Sequence, residues 1–142
     1  MKPVDTALAN FGDGFNCAQS VFSAYCEALN LDTQTAFKVA GGFGGGIGRL
    51  SATCGAVSGA VMLIGMKYGK YLHEDTEGRD RAYVRVREFA QQFEARHGSI
   101  CCGELLGADF ATNGEVAGKA AKERCPGFVQ SAVELVGPIL AL

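Results

Sequence analysis

Apolar residues recur at intervals of three and four along much of this 142-residue chain, which is the spacing of one face of an α-helix. Segments 16–29 and 77–97 each carry such a stripe, and charged residues cover the other faces of the second. Segment 53–69 is almost wholly apolar and rich in small residues, which predicts a buried helix. The two stripes consist of Ala18, Val21, Phe22, Tyr25 and Leu29, and of Ala82, Val86, Phe89, Ala90 and Phe93.

Shorter helices are predicted between and after these three. They cover residues 33–41, 101–106 and 112–123, and Asp32 is the predicted cap of the first. A last helix is predicted to begin at Pro126 and to continue toward Leu140 with a bend at Pro138. Gly98 is expected to end the long helix. No stretch alternates with the period of a strand. The pattern therefore predicts an all-α, compact single-domain bundle of about five to seven helices over residues 1–142.

A glycine-rich loop interrupts this helical pattern. The chain has 20 glycines, and six of them fall within residues 41–48. The cluster contains neither of the phosphate-binding glycine motifs, and no strand precedes it as those motifs require. Glycine allows positive φ and close approach, so either a tightly packed loop or a loop around a ligand would need this composition. The candidate cofactor contacts in and beside the loop are Gly45, Gly46, Arg49 and Gly55.

Charge and hydropathy exclude several function classes. The chain has 13 basic and 15 acidic residues, a net charge of −2, and a pI near 5.7, unlike the basic surface of a nucleic-acid-binding domain. The apolar run from Cys54 to Met66 is shorter than the roughly 20 residues of a membrane helix. The first residues lack the pattern of a signal peptide. We therefore expect a cytoplasmic protein whose thiols are mostly reduced.

Six cysteines are spread along the chain, and no two have the Cys-x-x-Cys spacing. The usual sequence pattern of a zinc ribbon or a thioredoxin-type dithiol is therefore absent, and the fold must assemble any shared site. Cys26 lies inside an apolar segment and is predicted to be a small core residue. The other five are Cys17, Cys54, Cys101, Cys102 and Cys125.

Two of these cysteines follow a predicted helix cap directly. Asn16 and Gln19 have the spacing of a capping box, which places Cys17 at the first helical position. Thr53 is the corresponding cap before Cys54. Free N–H groups and the helix dipole favour negative charge at such a position. We therefore expect lowered thiol pKa values, and Cys54, which adjoins the glycine loop, is the candidate nucleophile.

The remaining three cysteines are also predicted at helix starts. Ser99 can cap the turn that holds Cys101 and Cys102, and Cys125 directly precedes Pro126. Placement of four or five thiols at helix starts favours a chemical role over simple burial, although free cysteine is among the most buried residue types. The small-residue face around Gly59 indicates instead close packing against another helix.

Four stretches of the sequence together carry a family resemblance. They are 14–21 around Cys17, 41–59 around Cys54, 98–107 around Cys102, and Cys125 before the last helix. In these stretches, which cover nearly the whole chain, it resembles the C-GCAxxG-C-C family of redox-active proteins. The family label reads Gly-Cys-Ala where this chain reads Cys54-Gly55-Ala56.

The resemblance implies four characteristic cysteines, which by position are Cys17, Cys54, Cys102 and Cys125. Cys102 is preferred to Cys101 because it matches the family pattern Cys-x-Glu-Leu-Leu-Gly. The resemblance also implies redox activity or binding of a prosthetic group, without an established reaction.

Three functions follow as alternatives. In the first, the four thiols converge and cycle between dithiol and disulfide with a redox partner protein or a small-molecule thiol. In the second, they bind zinc, an iron–sulfur cluster or another prosthetic group. In the third, the chain is a non-enzymatic helical module that forms a homo-oligomer through its small-residue helix face. His97, near the end of the long helix, is either a base or ligand for the cysteines or a favourable charge at the helix end.

Overall fold

Seven α-helices and two short 3₁₀ turns contain most of the chain in a computed structural model that describes residues 1–142. The 3₁₀ turns cover Glu27–Leu29 and Gly41–Phe43. The helices are α1 (Pro3–Gly12), α2 (Cys17–Tyr25), α3 (Thr33–Ala40), α4 (Gly55–Tyr68), α5 (Gly78–His97), α6 (Cys102–Leu106) and α7 (Phe110–Leu140). The prediction of an all-α bundle of five to seven helices is confirmed.

Helix α2 lies at the centre of the bundle and packs against α1, α3, α4 and α7. The predicted stripe of α2 faces this core, where Ala18, Val21 and Phe22 are buried. On α5, Phe89 and Phe93 are fully buried, and Ala82 is nearly so. The hydrophobic pattern therefore assigned the inward faces of both helices correctly.

Close packing of α4 on α2 depends on the small residues of α4. Gly55, Gly59 and Ala60 are buried, and a Cβ atom on Gly59 would lie 2.7 Å from the carbonyl oxygen of Ala18. The expected packing role of Gly59 is therefore confirmed. Because α2 covers these residues within one chain, they do not offer a free face for a second copy.

Helix α7 differs from its prediction. It extends from Phe110 to Leu140 with a kink at the non-helical residue Asn113, and it continues through Pro126 and Pro138. The expected helix start at Pro126 is therefore wrong, and Cys125 lies inside a helix rather than at its cap. A proline inside a helix costs about 3 kcal/mol. The buried face that continues across Pro126 offsets this cost, and it includes Ala117, Phe128, Val129, Ala132, Val133 and Val136.

Helix α1 was absent from the predicted elements. Its apolar residues nevertheless follow helical spacing, and Pro3 occupies the first turn, which suits proline. Val4, Leu8 and Phe11 pack against the core and Ala7 is buried within it.

The glycine-rich segment forms a left-handed turn rather than an extended loop. All five residues from Gly45 to Arg49 have φ between +55° and +70°, and Ser51 follows at +58°. The turn is closed by backbone hydrogen bonds from Gly48 to Gly42 and from Ser51 to Gly45, at 2.9 and 3.1 Å. Glycine adopts this conformation readily, whereas Ile47 and Arg49 are strained in it.

None of the helices has both the length and the apolar character that crossing a membrane requires.

Candidate functional site

All four cysteines that the family resemblance implied line one cavity of about 600 Å³. They come from four different parts of the fold, namely the starts of α2, α4 and α6 and the middle of α7. Cys54, Cys102 and Cys125 are buried, and Cys17 is half-buried. The candidate cofactor contacts Gly45, Gly46, Arg49 and Gly55 line the same cavity.

Local structure fixes the position of Cys17. The Asn16 side chain accepts a hydrogen bond from the N–H of Gln19 at 2.8 Å, and the Gln19 side chain accepts one from the N–H of Asn16 at 2.9 Å. The predicted capping box is thus present, and Cys17 is the first residue of α2.

A short pairing of two backbone segments holds Cys54 beside Cys102. The N–H of Cys54 donates to the carbonyl of Ile100 at 2.8 Å, and the N–H of Cys102 donates to the carbonyl of Ala52 at 2.6 Å. Both cysteines lie at helix starts, as predicted, although Cys54 is itself the N-cap of α4 in place of Thr53.

Glycines occupy the points of closest approach between the segments that carry the cysteines. A Cβ atom on Gly55 would lie 3.2 Å from the Cβ of Cys17, and one on Gly46 would lie 2.7 Å from the Cβ of Cys102. A larger residue at either position would separate two cysteine-bearing segments. These two glycines therefore allow close packing of the segments that carry the cysteines. At Gly42, by contrast, an added Cβ atom would meet no other atom within 4 Å.

Three other candidate residues lie outside the cavity lining. Cys26 is buried in the core and its thiol donates to the carbonyl of Ser23 at 3.8 Å, as expected of a structural cysteine. The thiol of Cys101 donates to the carbonyl of Ser51 at 3.5 Å. The ring of His97 packs on Phe93 and Phe128, and its Nε2 is buried without a partner. Burial lowers the pKa of His97, which disfavours the expected charge at the helix end.

Burial controls the ionisation of two cavity thiols. It raises the pKa of Cys54 to about 12, and the N–H groups of Ala56 and Val57 at the helix start lower it only in part. Burial also raises the pKa of Cys102 to about 11, with a contribution from the charge of Cys125. The expected lowering of these pKa values by helix starts is therefore wrong.

Cys17 and Cys125 lie close enough together in the cavity for one thiol to favour ionisation of the other. The hydrogen bond from the Cys17 thiol lowers the pKa of Cys125, and burial opposes this only in part. The same hydrogen bond, followed by burial, raises the pKa of Cys17 well above its ordinary value. The pair is therefore biased toward a thiolate on Cys125 and a proton on Cys17.

Two cations and no carboxylate belong to the cavity lining. Arg49 and Lys122 are both exposed, and neither takes part in an ion pair. The guanidinium carbon of Arg49 lies 6.0 Å from the centre of the Phe110 ring. Lys122 was not among the predicted site residues, because a helix was expected to end before Pro126. Helical continuity through Pro126 would have placed Lys122 one turn from Cys125, on the same face.

The thiols surround a space rather than a single point. A zinc ion holds each thiolate at about 2.3 Å, and no group of three or more His, Cys, Asp or Glu side chains is arranged to hold a metal ion. The site as built therefore does not fit a single zinc ion.

Comparisons with known proteins agree with the resemblance read from the sequence. The chain is 28% identical over 127 residues to a protein of Archaeoglobus fulgidus whose description is "Uncharacterized protein", and the match covers 84% of this chain and 81% of that one. No solved structure matches the chain. The family model described as "Putative redox-active protein (C_GCAxxG_C_C)" matches residues 15–139. The chain therefore belongs to the C_GCAxxG_C_C family.

Proposed function

We propose that the protein carries out thiol–disulfide exchange, with Cys125 as the nucleophile and Cys17 as the resolving thiol. The observation that supports this most directly is that both thiols line one cavity, close enough for Cys17 to lower the pKa of Cys125. Exchange requires a thiolate and a second thiol within reach of it. This assignment replaces Cys54 as nucleophile, because the raised pKa of Cys54, about 12, keeps that thiol protonated at neutral pH, whereas the pKa of Cys125 is lowered.

The proposed reaction oxidises the pair by two electrons. The Cys125 thiolate attacks one sulfur of a substrate disulfide, forms a mixed disulfide, and releases the other half of the substrate as a thiolate. Cys17 then loses its proton and attacks the Cys125 sulfur. This second step forms the Cys17–Cys125 disulfide and releases the remaining half of the substrate as a second thiolate, which takes up the proton. The substrate disulfide is reduced to one thiolate and one thiol, and each step is reversible.

Cys54 and Cys102 occupy a supporting position in this scheme. Their thiols line the same cavity and stay protonated at neutral pH because their pKa values are raised by burial. Their neutrality adds no second negative charge beside the Cys125 thiolate. We therefore place the exchange on the Cys17–Cys125 pair and not on all four thiols equally.

Disulfide mapping by mass spectrometry tests the proposal. The reduced protein is treated with a small excess of a disulfide, the free thiols are alkylated, and the peptides are compared before and after reduction. The expected product is a Cys17–Cys125 disulfide. In the Cys17→Ser variant, the expected product is instead a mixed disulfide between Cys125 and half of the substrate, which cannot be resolved. The matched control is Cys101→Ser, because Cys101 lies outside the cavity lining; it should leave the product unchanged.

Two results would contradict the proposal. One is a product disulfide that joins other cysteines while Cys17 and Cys125 remain free. The other is stoichiometric iron or zinc in protein purified without oxygen, which would favour the prosthetic-group alternative.

A further inference from the structure

We infer that the substrate of the Cys17–Cys125 pair is a small anionic disulfide, which enters the cavity and is held by Arg49 and Lys122. This inference rests on the proposed thiol–disulfide exchange and adds the size and charge of the molecule exchanged.

The small size of the substrate is inferred from the burial of the cavity cysteines. Cys125 is only 8% exposed, and Cys54 and Cys102 are exposed by 4% and 7%. A disulfide fixed on the surface of a folded protein cannot reach a sulfur at this depth without opening the bundle. The cavity volume of about 600 Å³ lies within the roughly 300–1,000 Å³ of small-molecule sites.

The charge follows from the two cations of the lining. Arg49 comes from the left-handed turn and Lys122 from α7, so a ligand between these elements meets positive charge from both. Neither cation is neutralised by an ion pair, and the lining has no carboxylate. The protein as a whole has a net charge of −2, so this local excess of positive charge is opposite in sign to the rest of the molecule.

The backbone of the turn adds donors to the same lining. The N–H groups of Gly44, Gly45 and Gly46 have no acceptor within the protein, and all three residues line the cavity. Unpartnered backbone N–H groups favour an anionic ligand. The apolar residues of the lining suit the carbon atoms of such a ligand, and they include Phe11, Leu105, Leu106, Phe110 and Phe128.

The inference is tested with three disulfides of similar size and different charge. These are 3,3′-dithiodipropionate, which is a dianion, bis(2-hydroxyethyl) disulfide, which is neutral, and cystamine, which is a dication. The readout is the rate of Cys17–Cys125 disulfide formation. Each rate is divided by the rate of the same disulfide with 2-mercaptoethanol, so that intrinsic reactivity cancels.

We expect the dianion to react on the order of 10-fold faster than the neutral disulfide, and the dication to react most slowly. The preference should shrink in 0.5 M salt. Arg49→Gln and Lys122→Gln should each reduce it, whereas Arg49→Lys should retain it. Lys119→Gln is the matched control, since Lys119 is exposed on the same helix but does not line the cavity.

Equal normalised rates for the three disulfides would overturn the inference and leave thiol–disulfide exchange intact. So would a Lys119→Gln variant as impaired as Lys122→Gln, because the effect would then come from net charge alone. A protein disulfide such as that of insulin reacting as fast as the small dianion would overturn the size argument. Failure of every disulfide to oxidise the pair would overturn the proposed function and this inference together.

Discussion

At the scale of single residues, the four cavity cysteines show that burial and a neighbouring thiol outweigh a helix start. A helix terminus contributes about 0.3–1 kcal/mol to a charge beside it, which is less than one pKa unit. Cys54 and Cys102 both lie at helix starts, and burial nevertheless raises their pKa values to about 12 and 11. Cys125 lies inside a helix, and the hydrogen bond from Cys17 lowers its pKa. Contact with Cys17, rather than a helix start, therefore decides which of these thiols ionises most readily.

Removing the Cys17 thiol should raise the pKa of Cys125. A hydrogen bond to a charged group contributes about 1.5–3 kcal/mol, so Cys17→Ala should slow alkylation of Cys125 at neutral pH by about 10- to 100-fold. The measurement is the rate of iodoacetamide labelling of Cys125 between pH 5 and 10, read from peptide masses. The pH midpoint of the rate should move upward in Cys17→Ala and less in Cys17→Ser, which keeps a donor. A midpoint that does not move would remove the basis for the Cys125 assignment.

Gly59 and Gly65 in α4 should respond to alanine in opposite directions. A Cβ atom on Gly59 would meet the Ala18 carbonyl oxygen at 2.7 Å, whereas one on Gly65 would meet nothing within 4 Å. Overpacking costs about 1–3 kcal/mol, and Gly→Ala at an open helical site gains about 0.5–1 kcal/mol. Gly59→Ala should therefore lower the free energy of unfolding in urea, and Gly65→Ala should raise it. A stabilised Gly59→Ala variant would show that α2 and α4 can separate without cost.

At the scale of elements, the left-handed turn is the part of the fold that the sequence pattern least revealed. Six glycines in eight positions predicted unusual backbone or close approach, and both occur. Nothing in the periodicity showed that Ile47 and Arg49 would share the positive φ of their glycine neighbours, because this conformation is strained for both residues. Side chains reach it only when the surrounding contacts impose it.

Ile47→Gly should stabilise the protein by relieving this strain. Ile47 is 40% exposed, so removing its side chain loses little buried area. Positive φ costs an ordinary residue about 1–2 kcal/mol, and the added flexibility of the unfolded chain offsets about half of that gain. We expect the free energy of unfolding to rise by about 0.5–1 kcal/mol in a urea titration.

Leu50→Gly is the matched control for that change. Leu50 lies three residues later and is 72% exposed, and it is not among the residues with positive φ. Glycine should therefore destabilise the protein at this position. Equal effects of the two substitutions would show that the turn stores no strain at Ile47.

Helices were predicted correctly where a continuous apolar face marks them. A helix boundary was predicted wrongly where a proline indicated a helix start on local grounds. The stripes of α2 and α5 were identified because each lies against a single core. Pro126 indicated a helix start on local grounds, yet tertiary packing carries α7 through it. The same error hid Lys122, because its place beside Cys125 depends on an unbroken helix.

At the scale of the whole molecule, the gathering of four distant cysteines depends on contacts that no local pattern records. Positions 17, 54, 102 and 125 could be selected from the sequence through the family resemblance, and their shared cavity is a result of tertiary packing. That packing depends on Gly46 and Gly55, which allow the cysteine-bearing segments to approach. The same packing buries three of the four thiols, which links the site to the stability of the fold.

Burial of Cys54 and Cys102 should make the stability of the fold fall at alkaline pH. Their pKa values are about 12 and 11 in the folded protein, against an ordinary value of 9.0. A raised pKa stabilises the folded state fully below the unfolded pKa, and that stabilisation is lost as the pH rises toward the folded value. Between pH 9 and 11 each thiol should therefore lower the free energy of unfolding by up to about 1.4 kcal/mol per pH unit.

Urea unfolding at a series of pH values under reducing conditions measures this slope. Cys54→Ala and Cys102→Ala should each flatten it, even though both lower the stability at pH 7 by removing a buried side chain. Cys101→Ala should keep most of the slope, because that thiol lies outside the cavity lining and burial is the main cause of both raised pKa values. The variants differ from one another only in their cysteines, so the difference in slope isolates the cavity thiols. Identical slopes in all variants would mean that Cys54 and Cys102 contact water in the folded protein, and the burial of these two thiols would then be wrong.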